Sequence, residues 1–179
     1  MENIIKATQC WLDSVIIEHN ICPFAKQERD KGRIRFFVSQ AEEMSQMLEQ
    51  LVLEWERLDE QPEIETTLFM LAHIGHDFNE YLDILEIANQ LLIEQDCEGI
   101  YQLASFHPNY CFAGSDDEDP ANYTNRSPYP TLHIIREKSL EQALQNYPEP
   151  ELIPVRNIEY CQTLGLEKMQ QMLAKCMTD

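Results

Sequence analysis

Residues 66–74 read Thr66-Thr67-Leu68-Phe69-Met70-Leu71-Ala72-His73-Ile74, a nearly continuous apolar run. A strand with one face in water alternates apolar and polar side chains, so an unbroken run marks a central strand covered on both sides. Its neighbours follow from the punctuation around it. Upstream, residues 34–38 make a short strand. Ser39-Gln40-Ala41-Glu42 then has the spacing of a capping box, predicting a helix to about Arg57 that buries Met44, Met47, Leu48, Leu51 and Trp55. Downstream, Asp77 and Glu80 repeat the box ahead of a helix carrying Tyr81, Ile84, Leu85, Ala88, Leu91 and Leu92. Residues 100–105 and 131–135 supply two further strands.

The flanks are helical. Ile5, Thr8, Leu12, Val15, Ile16 and His19 recur at helical spacing, with Asn3 as N-cap, until Pro23 disfavours helical geometry at Cys22. Ser139 and Gln142 cap a short helix to about Tyr147, and two helices close the chain near residues 155–164 and 166–177, with Gly165 between them. The reading is one domain, α+β or α/β, built as a small mixed sheet of about four strands with helices packed against it. Two successive strand–helix–strand units favour parallel crossovers, while the fourth strand pairs either way.

Charge is unevenly placed. Residues 39–125 hold one base, Arg57, among twenty Asp and Glu, so the whole net charge of −19 arises there. Such a surface repels phosphate backbones, which argues against nucleic-acid binding. No apolar run approaches the roughly 20 residues of a bilayer span, and the first twenty residues lack a signal-peptide pattern. The expectation is a cytoplasmic protein with no membrane partner and reduced cysteines at 10, 22, 97, 111, 161 and 176.

One segment is not required by folding. Residues 106–130, FHPNYCFAGSDDEDPANYTNRSPYP, have no helical or strand period, and structureless connections that long are usually functional or disordered. Its aromatic and proline-rich shoulders point to an ordered loop. His107 lies just beyond a strand end, where ligands bind in parallel sheets, and reads as a general acid or base. Arg126 is the first base after Arg57 and reads either as the partner of a nearby carboxylate or as a fork for an anionic group. Ser105, Asn109, Tyr110, Asn125 and His133 complete the candidate ligand-binding set. Cys22, between a helix end and the basic residues Lys26, Arg29 and Lys31, is a candidate nucleophile. These residues favour a small polar or anionic ligand; no cofactor is named by any motif.

Two patterns are set aside. His73-Ile74-Gly75-His76 spells the nucleotide-binding signature of class I aminoacyl-tRNA synthetases, without the lysine-rich loop and large domain that family needs. The same two histidines, three apart with no third ligand, do not make a metal site.

Three stretches carry a resemblance. Trp11 through Phe24, ending in Asn20-Ile21-Cys22-Pro23-Phe24-Ala25, is similar to the opening of a bacterial family catalogued as domain of unknown function 1415. Gln102-Leu103-Ala104-Ser105-Phe106-His107-Pro108, continuing to Tyr110, Phe112 and Gly114, resembles a second motif of that family. The run from Asn122 through Arg126 to His133 resembles its longest one. The resemblance implies a bacterial cytosolic protein of one domain. It implies no reaction, and no catalytic residue is carried over from it. Two readings stand: an enzyme acting on a small polar or anionic metabolite through His107 and Arg126, or a non-catalytic binding or adaptor protein using the 106–130 loop or the acidic middle.

Overall fold

The run at 66–74 becomes the centre of a four-stranded sheet. In the computed structural model, which describes residues 1–177, the strands are β1 (Ile34–Ser39), β2 (Thr66–Leu71), β3 (Tyr101–Phe106) and β4 (Thr131–Arg136). Their order is β1-β2-β4-β3. β1 and β2 run parallel, and β4 lies antiparallel to both β2 and β3. All six residues of β2 are buried, as an apolar run between two covering layers requires. The fold is α+β, with a mixed sheet.

Among the described residues seven α-helices surround the sheet: α1 (Glu2–Trp11), α2 (Ala25–Asp30), α3 (Met44–Glu60), α4 (Phe78–Glu94), α5 (Glu137–Gln145), α6 (Ile153–Leu164) and α7 (Leu166–Lys175). On one face, α3 and α4 bury Met47, Leu51, Trp55, Tyr81 and Ile84 against Phe69, Leu71, Leu132 and Ile134. On the other, Trp11, Leu12, Val15 and Ile16 meet Leu68, Phe36 and Phe106, joined by Cys161, Met169 and Met172 of α6 and α7. Strand alternation assigns each side chain to its layer. From Leu12 to Ile17 the first helix widens to π geometry, so Ile21 N–H reaches back to the Ile16 carbonyl at 2.9 Å.

Several boundaries depart from the sequence reading. Ser39 pairs with Leu71 as the last residue of β1, so it caps no helix; its Oγ accepts from Ala41 N–H instead. α3 therefore starts later, at Met44, after Glu43 in extended geometry. The basic segment after Cys22 includes the helix α2, with Lys26 paired to Asp30 and Arg29 to Asp13. α5 follows β4 directly, ahead of Ser139, and Asn3 lies inside α1. Asp77 does cap α4, accepting from the N–H groups of Asn79 and Glu80. One acid of the middle region is not on the surface. Glu54, 2% exposed, takes a bidentate pair from Arg35 at 2.7 and 3.1 Å and a further bond from Arg57 at 3.2 Å.

Candidate functional site

The shoulders of the long loop fold back on each other. His107 N–H donates to the Asn125 carbonyl at 3.1 Å, and Asn125 Nδ2 donates to the Ser105 carbonyl at 3.0 Å. At the turn between them, Asn122 is fully buried; its Oδ1 accepts from Phe112 N–H and its Nδ2 donates to the Asp116 carbonyl. Ser105, His107, Asn109, Tyr110, Asn125 and Arg126 are thus brought into one knot. Its side chains are engaged by the loop itself. Arg126 donates to the Tyr110 and Asp117 carbonyls, both at 2.9 Å, and stacks over the Tyr123 ring.

His107 is fully buried beside Phe78 and Tyr81. Its Nε2 faces the Gly75 carbonyl at 3.0 Å, and Nδ1 accepts from Asn109 N–H at 3.0 Å. A carbonyl only accepts, so Nε2 carries the proton and the ring is neutral. Burial also pushes its pKa below the ordinary value, against hydrogen bonds to backbone that raise it. Both nitrogens are satisfied, which leaves no lone pair for a substrate. Gly75 itself sits at φ 69°, and a Cβ there would stand 3.1 Å from Ile84 Cδ1. The carbonyl that fixes His107 therefore depends on glycine.

His133 and Cys22 lie elsewhere, lining a cavity of about 790 Å³ on the α1 side of the sheet. The floor is Thr66, Leu68, Ala104, Phe106, His133 and Ile135; Trp11, Leu12, Ile16 and the Cys22–Ala25 turn form one wall. α5 forms the other, through Leu140 and Ala143, and Tyr147 just beyond it meets Phe24 edge-on at 5.5 Å between ring centroids. Glu28, Arg33 and Glu65 stand at the rim, with Arg33 ion-paired to both carboxylates. Register explains the space: Ala104, with a methyl side chain, sits directly opposite His133 in the β3–β4 pair. The volume and apolar lining are those of a small-molecule site.

The two histidines differ in what they leave available. His133 Nε2 lies 2.6 Å from Thr66 Oγ1, whose proton goes to the Ile134 carbonyl. The hydroxyl must therefore accept from Nε2–H, which places the lone pair on Nδ1. Among the described residues no hydrogen bond is made to that atom, and the half-buried ring lines the cavity. Burial pushes the pKa of His133 down to about 4, so the imidazole is neutral at pH 7. Burial raises the Cys22 pKa, which keeps that thiol protonated.

Lowering the His133 pKa ties stability to pH. Between 6.5 and about 4 the unfolded chain binds a proton that the folded chain refuses, so stability is greatest above pH 6.5 and falls as pH drops through that window. His133→Gln keeps a donor for Thr66 and cannot titrate. The loss of unfolding free energy from pH 6.5 to 4 is expected to be about 2–3 kcal/mol smaller in the variant, by urea denaturation at each pH. Equal slopes would place the imidazole in water.

Sequence reasoning found His133 and Cys22 but not their company. Thr66 and Leu68 share a face by strand alternation, and that signal was present in the opening run. Glu28, Glu65 and Trp11 had none, because the cavity joins segments far apart in the chain. Neither His107 nor Arg126 lines this cavity. His73 Nε2 is 3.4 Å from Gln40 Oε1, and no group of three or more His, Cys, Asp or Glu among the described residues is arranged to hold a metal ion. No helix among the described residues is long and apolar enough to cross a membrane.

The sequence profile of a family described as "Protein of unknown function (DUF1415)" matches residues 3–171, nearly the whole chain. No curated protein and no solved structure matches it. The chain belongs to the DUF1415 family.

Proposed function

We propose that this member of the family is a small-molecule-binding protein whose ligand, largely apolar and carrying one hydrogen-bond donor, occupies the cavity over His133. The observation that carries the reading is the Nδ1 lone pair of a neutral imidazole, left without a donor on the floor of an apolar cavity. That acceptor opens onto the cavity, where a ligand O–H or N–H can pair with it while the apolar lining takes up the rest of the molecule. A bound acidic C–H or O–H group would meet the same lone pair as a general base, so turnover, where it occurs, runs through His133. Cys22 contributes shape, since its protonated thiol is a weak nucleophile. The His107–Arg126 knot supports this site at one remove: Trp11, a wall of the cavity, donates its Nε1–H to the Arg126 carbonyl at 2.9 Å.

The test uses N-phenyl-1-naphthylamine, a neutral fluorescent probe with one N–H donor. Wild-type protein is expected to bind it with enhanced, blue-shifted emission. Ala104→Phe projects a ring from β3 into the cavity and is expected to weaken binding at least about tenfold while leaving the far-ultraviolet circular dichroism unchanged. Undiminished binding to the folded variant, or none to wild type, would refute the cavity as a site.

A further inference from the structure

Two thiols that the cavity does not use meet across the fold. Cys10 lies in the last turn of α1 and Cys176 caps the end of α7, yet their Sγ atoms stand 2.9 Å apart. That is within about 1 Å of a disulfide bond length of about 2.05 Å. Among the described residues no disulfide is formed, and no second pair of thiols makes such a contact. Cys10 is half-buried, whereas Cys176 is 1% exposed. Ser14, one turn beyond Cys10, lies against both: its Oγ is 3.7 Å from Cys10 Sγ and 3.5 Å from Cys176 Sγ. The hydroxyl proton goes to the Cys10 carbonyl at 2.7 Å, so the oxygen's lone pairs are turned toward the sulfurs and can accept a hydrogen bond from a thiol.

We propose that Cys10 and Cys176 are an oxidation site, a clasp that a hydroperoxide closes into a disulfide between the chain's first and last helices. The half-buried Cys10 sulfur attacks the hydroperoxide, the O–O bond breaks, and a sulfenic acid and an alcohol (water, from hydrogen peroxide) result. The Cys176 sulfur then attacks the sulfenic sulfur. The S–O bond breaks, and the leaving hydroxide takes the Cys176 proton as water. Two thiols lose two electrons and two protons in total, and the peroxide takes them up. The contact geometry favours this second step over further oxidation, because the resolving thiol is already in place. Trp11, a wall of the cavity, is the residue after Cys10, so the clasp anchors that wall to α7.

Freshly reduced protein treated with a small excess of hydrogen peroxide is expected to lose about 2 Da in intact mass. Titratable thiols should fall from the six of the sequence to four under denaturing, non-reducing conditions. A peptide map should show Cys10 joined to Cys176, and dithiothreitol should reverse the change. Closing so long a loop is expected to raise Tm by about 5–10 °C. Cys10→Ser and Cys176→Ser should each abolish the cross-link. A bond between other cysteines, oxygen added without a link, or no reaction would overturn the proposal. Should a serine variant fail to fold, the wild-type peptide map decides alone.

Discussion

His107→Ala is expected to lower the unfolding free energy by about 3–5 kcal/mol, measured by urea denaturation at pH 7. The imidazole is fully buried and bonded at both nitrogens, to the Gly75 carbonyl and the Asn109 N–H. Alanine leaves that carbonyl and that N–H without side-chain partners, and leaves a ring-sized void between Phe78 and Tyr81. Each orphaned buried group costs about 1–3 kcal/mol, and the void adds to it. A loop-locking histidine and a catalytic one part company here. A ring held for chemistry at a substrate can be removed with modest loss of stability, while one that ties a loop to the sheet cannot. Probe binding measured on the fraction that remains folded should stay near wild type, since His107 does not line the cavity. A loss below about 1 kcal/mol would show that the two hydrogen bonds do not hold the loop, and the acid–base reading of His107 would regain its ground.

The fold was legible wherever a local pattern stood for a global fact. The apolar run at 66–74 announced burial on both faces, and β2 is the sheet's fully buried strand. Asp77 announced the start of α4 because an aspartate's reach to free N–H groups is a matter of three residues. The same logic misled at Ser39, where pairing with Leu71 overrode a capping pattern of equal quality. The direction of β4 was illegible for the same reason: it is decided by which edge the strand joins, and β4 inserts between β2 and β3. At the site, polar residues crowded into one loop suggested ligand chemistry, and the loop uses them on its own backbone. A 25-residue connection without regular structure has many N–H and C=O groups to satisfy, and buried Asn122 and His107, with half-buried Arg126, satisfy several of them. The cavity comes from absence of bulk, a methyl at Ala104 opposite His133, and no sequence motif advertises a gap.

Trp11→Ala should be the other large effect, about 3–5 kcal/mol, because this side chain joins three parts of the molecule. It is 1% exposed, its ring meets Phe106 edge-on at 5.1 Å between centroids, and its Nε1–H holds the Arg126 carbonyl. Truncation removes the largest fully buried side chain on the α1 side of the sheet and opens the cavity toward the loop. Two tryptophans make the consequence readable, for Trp55 is buried in the opposite layer with α3. In the variant, Trp55 is the sole emitter. Its native emission should stay blue-shifted, showing the α3–α4 layer intact, while Tm falls by roughly 10 °C. Trp11→Phe separates packing from the hydrogen bond. It keeps an aromatic wall and loses only the donor to Arg126, so a cost of about 1–2 kcal/mol is expected. If instead the phenylalanine variant is as damaged as the alanine one, the tie to the loop outweighs the packing. The loop at 106–130 would then be what holds the cavity's wall in place.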